Sequence, residues 1–141
     1  MKNIKKKKSM GTVVTASLAG SVMLLFAFAP LPQKNKPWVT PDAQAKVANP
    51  LPANDQTIAE GKKVYASKCN DCHGKKGKGD GPKSADLDVS PMDFTKADFQ
   101  KQPDGALYWK ISEGRKPMPA FKSELSKEQR WQVINYIRTL K

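Results

Sequence analysis

The sequence predicts an all-α domain, because three segments carry helical patterns and none carries a strand pattern. The segments lie at 57–68, 104–112 and 126–140, and in each the apolar residues recur at the spacing of one helix face. No segment alternates apolar and polar residues for long enough to argue for a sheet. The 141-residue chain is therefore expected to hold one small helical domain behind an N-terminal region of different composition.

The chain opens with a basic cluster followed by an apolar run. Lys2 and Lys5 to Lys8 precede the twenty uncharged residues from Met10 to Ala29, which is the order found in export signals and is just long enough to span a bilayer. Pro30 follows directly and suits a signal-peptidase site poorly. We predict that residues 1–29 are an uncleaved anchor, with a cleaved signal peptide as the alternative. The basic flank places the rest of the chain on the periplasmic side.

The composition of residues 30–54 predicts a linker. They hold six prolines and little apolar periodicity, which is typical of an extended, semi-rigid spacer. The domain then covers residues 55–141. A domain of that size buries little apolar surface, so a cofactor or another staple is expected in its core.

The net charge of +12 is concentrated at the N-terminus. Residues 1–46 contribute +7, and the remaining +5 is interleaved with acidic residues along 47–141. This distribution argues against a nucleic-acid-binding surface. A mildly basic domain favours redox partner proteins with an acidic docking surface, although a merely solvated surface is the alternative.

Each predicted helix has start or stop signals. The capping residues are Thr57 with Glu60 for the first helix, Asp104 for the second, with Gly114 as its stop, and Ser126 with Gln129 for the third. The predicted buried faces carry Ile58, Gly61, Val64 and Tyr65; Leu107, Tyr108 and Ile111; and Trp131, Val133, Ile134, Ile137 and Leu140.

The first helix leads into Cys69-Asn70-Asp71-Cys72-His73, the c-type haem attachment pattern. Two thiols three residues apart project from one helix face and can reach both vinyl groups of one haem. The imidazole of His73, at the next position, lies on the same face and can bind the iron. One Cys pair predicts one covalent haem c.

Other interpretations of the two cysteines fit less well. A thioredoxin-like redox pair needs a strand-helix context, which the sequence lacks. A structural disulfide is disfavoured at such short range. A zinc site usually takes four Cys or His ligands, and the chain has two Cys and one His.

The second axial ligand is predicted to be a methionine, because the chain has no second His. Outside the leader the candidates are Met92 and Met118. Met118 lies between Pro117 and Pro119, in a loop whose backbone is stiff at both ends. We predict Met118, and the alternative for Met92 is a gap-filling residue.

With these motifs the chain resembles the class I cytochrome c family over residues 57–141. The resemblance rests on Gly61 and Tyr65, the segment 69–74, Gly81-Pro82, the segment 114–119, and the stretch from Trp131 to Tyr136. It implies that the first and last helices cross at Gly61 and Tyr136. It also implies that Pro82 offers its carbonyl to the free ring nitrogen of His73.

The expected function is that of a single-haem electron carrier, not an enzyme, with His73 and Met118 on the iron. It would work in an exported or membrane-tethered electron-transfer chain. Two alternatives stay open: a fixed haem subunit of a respiratory or dehydrogenase complex, and a haem sensor or peroxidase-like protein whose sixth iron position is open.

Overall fold

The structure, a computed structural model, describes residues 37–141. Over this range the chain is helical without a strand, which confirms the predicted all-α fold. The predicted anchor at 1–29 and the start of the linker, 30–36, lie outside the described residues. The helices are α1 (Asp42–Ala45), α2 (Asp55–Lys68), α3 (Asn70–His73), α4 (Ala97–Gln100), α5 (Asp104–Glu113) and α6 (Lys127–Ile137), with a short 3-10 turn at Ser84–Asp86. None of them is long and apolar enough to cross a membrane.

Helices α2 and α6 cross at very short range, and Gly61 is the reason they can. A Cβ atom added at Gly61 would lie 2.0 Å from the carbonyl oxygen of Gln132 and 3.1 Å from Cβ of Tyr136. No real side chain fits such a gap, so the two backbones are in contact there. The crossing lies at the place that the resemblance implies.

The core is formed between α2, α5 and α6 and the segments that join them. Val133 and Ile134 on α6 are fully buried, and Tyr65 on α2 and Leu107 on α5 are nearly so. The other buried apolar members are Val64, Phe94, Phe99, Ile111, Phe121, Leu125, Trp131 and Ile137. Most residues on the predicted buried faces of the three helices therefore lie in the core.

The cap of α6 is the predicted one, whereas those of α2 and α5 are corrected. The amide of Gln129 donates to Ser126 Oγ at 3.0 Å. Helix α2 begins two residues earlier than predicted, because Asn54 is its cap and accepts the Thr57 amide at 2.9 Å. Asp104 is the first helical residue of α5 rather than its cap. Its carboxylate accepts instead from Arg138 Nε at 2.9 Å, at the end of α6.

Residues 37–54, which we call the N-terminal strap, do not extend away from the domain. Their helix α1 packs on α5 so closely that a Cβ at Gly105 would lie 2.3 Å from the Gln44 carbonyl oxygen. Further along, Asn49 Nδ2 donates to Asn135 Oδ1 at 2.8 Å. Although the segment is rich in proline, these contacts with α5 and α6 hold it against the surface.

Candidate functional site

The two cysteines and the histidine lie on one helical turn. Cys69 ends α2 and precedes α3, and its carbonyl oxygen accepts the His73 amide at 2.9 Å and the Cys72 amide at 3.3 Å. Both thiols are free and half-buried. This turn places the three side chains on one face, as the spacing predicts.

The Cys69 thiol is held in its neutral form. Burial, followed by the neighbouring Cys72, raises the pKa of Cys69 to about 12. Nucleophilic redox cysteines have a lowered pKa and carry a thiolate at neutral pH. The surroundings of Cys69 do not favour a thioredoxin-like role.

The His73 ring is fixed by two contacts. It stacks on Phe94, with ring centres 4.3 Å apart and planes 25° apart. Its Nδ1 lies 3.4 Å from the carbonyl oxygen of Met92. Burial lowers the pKa of His73 despite the opposing effect of this carbonyl, so the ring is neutral at physiological pH, the form that binds a metal.

Pro82 lies on the loop that follows the motif, and this loop folds back onto it. The amides on either side of Pro82 are those of Gly81 and Lys83, which donate to the carbonyl oxygens of Cys72 at 3.1 Å and Asp71 at 2.8 Å. Pro82 itself is exposed. The structure places the Met92 carbonyl within reach of His73 Nδ1, and the role that the resemblance gives to Pro82 stays a prediction.

Met118 is carried by a tight turn. Arg115 and Met118 exchange both backbone hydrogen bonds, at 3.0 and 2.9 Å. Gly114 ends α5 with a φ of +63°, and a Cβ there would lie 2.5 Å from the carbonyl carbon of Pro119. Only glycine adopts this positive φ readily and also leaves room for the backbone of Pro119. The amide of Phe121 then donates to the Ile111 carbonyl at 3.0 Å, which joins the turn to α5.

Two cavities that share much of their lining lie between the motif and this turn. Their volumes are about 650 and 380 Å³, within the range of cofactor pockets. His73, Met92 and Met118 line both, and both thiols line the smaller one. The remaining lining is mainly apolar, with Phe94, Ile111 and Ile137 in both cavities. An apolar space with two thiols, an imidazole and two methionine thioethers on its walls fits the donor set of a haem c.

One edge of the cavities is cationic and aromatic. Lys110 and Arg115 line the larger cavity together with Trp38. Burial, and then the charge of Arg115, lowers the pKa of Lys110. The prediction of a spacer over 30–54 missed Trp38. A tryptophan in an otherwise polar, proline-rich segment was the signal that could have found it.

The comparisons with known proteins agree with this geometry. Residues 56–137 match the family model described as "Cytochrome C oxidase, cbb3-type, subunit III". The fold and the site define a c-type cytochrome domain, which is a haem-based electron-transfer domain. The chain belongs to the family of that model, a family of c-type cytochrome domains, which implies haem c as the cofactor. No curated protein matches the sequence.

The solved structures that are similar to the chain include the following two. One is the Kuenenia stuttgartiensis reducing HAO-like protein complex Kustc0457/Kustc0458, with 35% identity and a TM-score of 0.60 over 64% of this chain. The match covers 46% of the chain in that complex, so it spans less than half of that protein. The other is the KustC0563 c-type cytochrome, with 29% identity and a TM-score of 0.51, covering 57% of this chain and 96% of that one.

Proposed function

We propose that the protein is a single-haem electron carrier in which Cys69 and Cys72 hold haem c covalently and His73 and Met118 are the axial ligands. The observation that carries the proposal is that the side chains of His73 and Met118 line the same two cavities, with both thiols at the smaller one. When bound, haem c supplies reversible one-electron chemistry at its iron.

His73 is prepared for its role by its surroundings. A histidine that binds a metal through one ring nitrogen usually gives the other to a carbonyl or carboxylate, which fixes the ring orientation. The Met92 carbonyl stands at Nδ1, which leaves Nε2 as the metal-binding atom. Phe94, stacked on the ring, restricts its rotation.

The contact between the Met92 carbonyl and His73 Nδ1 also favours Met118 over Met92 as the second ligand. The backbone of Met92 lies on the Nδ1 side of His73, away from the nitrogen that would bind iron. Met92 as a whole residue is 57% exposed. Met118 is half-buried against the core, and its backbone is paired to Arg115 in both directions. A stiff turn suits a weak thioether ligand, because little conformational entropy remains to be lost on binding.

Two protein ligands leave no open position on the iron, which favours electron transfer over gas sensing or peroxidase chemistry. The protein would act on the periplasmic side, tethered by residues 1–29, or as a soluble protein if these are cleaved. Partner proteins with an acidic surface would dock near exposed lysines around the motifs, namely Lys75, Lys76, Lys78, Lys116 and Lys122.

A second candidate function is that of a fixed subunit in a larger redox complex. The family description names an oxidase subunit, and one similar structure is a protein complex. The electron-transfer chemistry would be the same. Detergent extraction and size-exclusion chromatography of the native protein separate the two: a carrier elutes alone, and a subunit co-elutes with stoichiometric partners.

The proposal is tested by expressing the protein with haem-attachment machinery. We expect haem to stay on the chain in denaturing electrophoresis, with low-spin spectra in both redox states and the weak far-red band of a methionine–ferric iron bond. Met118→Ala should abolish that band and allow carbon monoxide to bind the reduced protein. Met92→Ala is the matched control and should keep the band.

Loss of the band in Met92→Ala but not in Met118→Ala would reverse the ligand assignment. High-spin iron that binds carbon monoxide in the unmodified protein would support a sensor or peroxidase-like protein instead. A chain without covalent haem would overturn the proposal as a whole.

A further inference from the structure

The N-terminal strap lies outside residues 56–137, the part that matches the family model, yet it is packed into the domain. Carbonyl oxygens of Gln44 and Val47 stand 2.3 and 2.5 Å from the position of a Cβ on Gly105. Any larger residue at Gly105 would displace α1 from α5. The contact is therefore between backbones, and it sets the distance between the strap and α5.

The other end of the strap is held by a buried polar side chain on α6. Asn135 is 4% exposed, accepts from Asn49 Nδ2 at 2.8 Å and donates to the Pro52 carbonyl at 3.1 Å. Breaking these bonds would leave polar groups of a buried side chain unsatisfied, which is unfavourable. The strap is thus attached on both α5 and α6.

The strap carries Trp38, four residues before the start of α1. Its indole ring meets Trp109 edge to face, with centres 6.5 Å apart and planes at 63°. The guanidinium carbon of Arg115 lies 4.8 Å from its ring centre, and Lys110 Nζ lies 5.8 Å away. Trp38 lines both cavities, and so does Arg115.

We propose that Trp38 is a positioning residue of the haem site, which closes one edge of the cavity and holds Arg115 and Lys110 there. This inference rests on the proposed function. A cation over an aromatic face is attracted to it, most strongly where it is desolvated. The indole therefore helps to keep both charges at the cavity edge, together with Gln102, whose side-chain oxygen accepts from Lys110 Nζ at 2.5 Å. The ring also covers the cavity edge against solvent.

Both effects act on the reduction potential in the same direction. Fixed positive charges at the edge of the cavities would favour the reduced state of a bound haem, which carries one positive charge fewer. Exclusion of water lowers the local dielectric and strengthens that interaction. The strap therefore favours the reduced protein, and its removal should favour the oxidised one.

The test is a spectroelectrochemical titration of the holoprotein and of Trp38→Ala. At fixed electrode potential we expect the ratio of reduced to oxidised protein to fall about tenfold, which is 59 mV for a one-electron couple. Trp38→Phe keeps an aromatic face and should restore at least half of the difference. Val39→Ala is the matched control, because Val39 is the next residue and is 75% exposed; it should titrate like the unmodified protein.

A Trp38→Ala protein with normal haem content and an unchanged potential would overturn the inference and leave the proposed function standing. Absence of covalent haem from the unmodified protein would instead overturn the proposed function. If Trp38→Ala fails to fold, the reduction potentials of Trp38→Phe and Trp38→Leu are compared instead. A lower potential for the leucine variant than for the phenylalanine variant supports a role of the aromatic face, and equal potentials refute it.

Discussion

Gly61→Ala should destabilise the protein, although alanine is the better helix former. In an exposed helix interior, replacing glycine by alanine gains about 1 kcal/mol. Here the new methyl group would lie 2.0 Å from the carbonyl oxygen of Gln132 and 2.5 Å from its carbonyl carbon. Both are backbone atoms that cannot swing aside, so α2 and α6 would have to separate.

The size of the effect follows from two opposing contributions. Overpacking costs about 1–3 kcal/mol and here should reach the upper end, because a helix rather than a side chain must move. Subtracting the gain in helix propensity leaves a loss of about 2 kcal/mol in the free energy of unfolding. For a small domain with a urea slope of about 1–3 kcal/mol per M, the midpoint falls by roughly 1 M.

The assay is urea unfolding of the oxidised holoprotein followed by far-UV circular dichroism. Ala59→Gly is the matched control, because Ala59 is exposed on the same helix and its substitution measures the propensity difference alone. We expect that control to lose about 1 kcal/mol. A Gly61→Ala protein as stable as the unmodified one, or more stable, would show that the helices do not touch at this point.

Three further substitutions test the supports of the site. Tyr65→Phe removes a buried hydroxyl that donates to the Gly74 carbonyl at 2.8 Å and should cost about 1 kcal/mol at neutral pH. Burial raises the pKa of Tyr65, so the unmodified protein should lose stability as the pH rises above about 10, and the phenylalanine variant should lose less. Gly114→Ala forces a side chain into a positive φ and against Pro119, so it should weaken the far-red band by disturbing the turn, with an added cost of about 1–3 kcal/mol. Arg138→Leu removes the charged hydrogen bonds from α6 to the start of α5 and should cost about 2–3 kcal/mol.

These three effects have separate readouts. The sign for Tyr65 follows from linkage: above about pH 10 the unfolded chain releases the phenolic proton before the folded one, so the stability of the folded protein falls. Parallel pH profiles for the unmodified and Tyr65→Phe proteins between pH 9 and pH 11 would contradict it. An intact far-red band in Gly114→Ala would show that the geometry of this turn does not control the methionine–iron bond. Thermal melts of Arg138→Leu at low and high salt would show little loss if the contact were only a screened surface pair.

Local patterns predicted the helices and the motif well because they depend on few residues. The Ser126 capping box uses side chains three residues apart, and the motif turn uses bonds within five residues. The cap of α2 was predicted three residues late, because Thr57 suits the N-cap and the third helical position equally well, and only the pairing with Asn54 decides. Asp104 was predicted as a cap because aspartate is a preferred N-cap residue, whereas its observed partner, Arg138, is distant along the chain.

Residue types and near-neighbour spacing were sufficient to predict the all-α class and the attachment turn from Cys69 to His73. They also led to the hypothesis that Met118 rather than Met92 is the second ligand. Three features emerged only from the packed structure: the Met92 carbonyl faces His73, α1 packs on Gly105, and Trp38 lies beside Arg115. These contacts join residues far apart along the chain, and their positions depend on how the whole core packs, which no local pattern encodes.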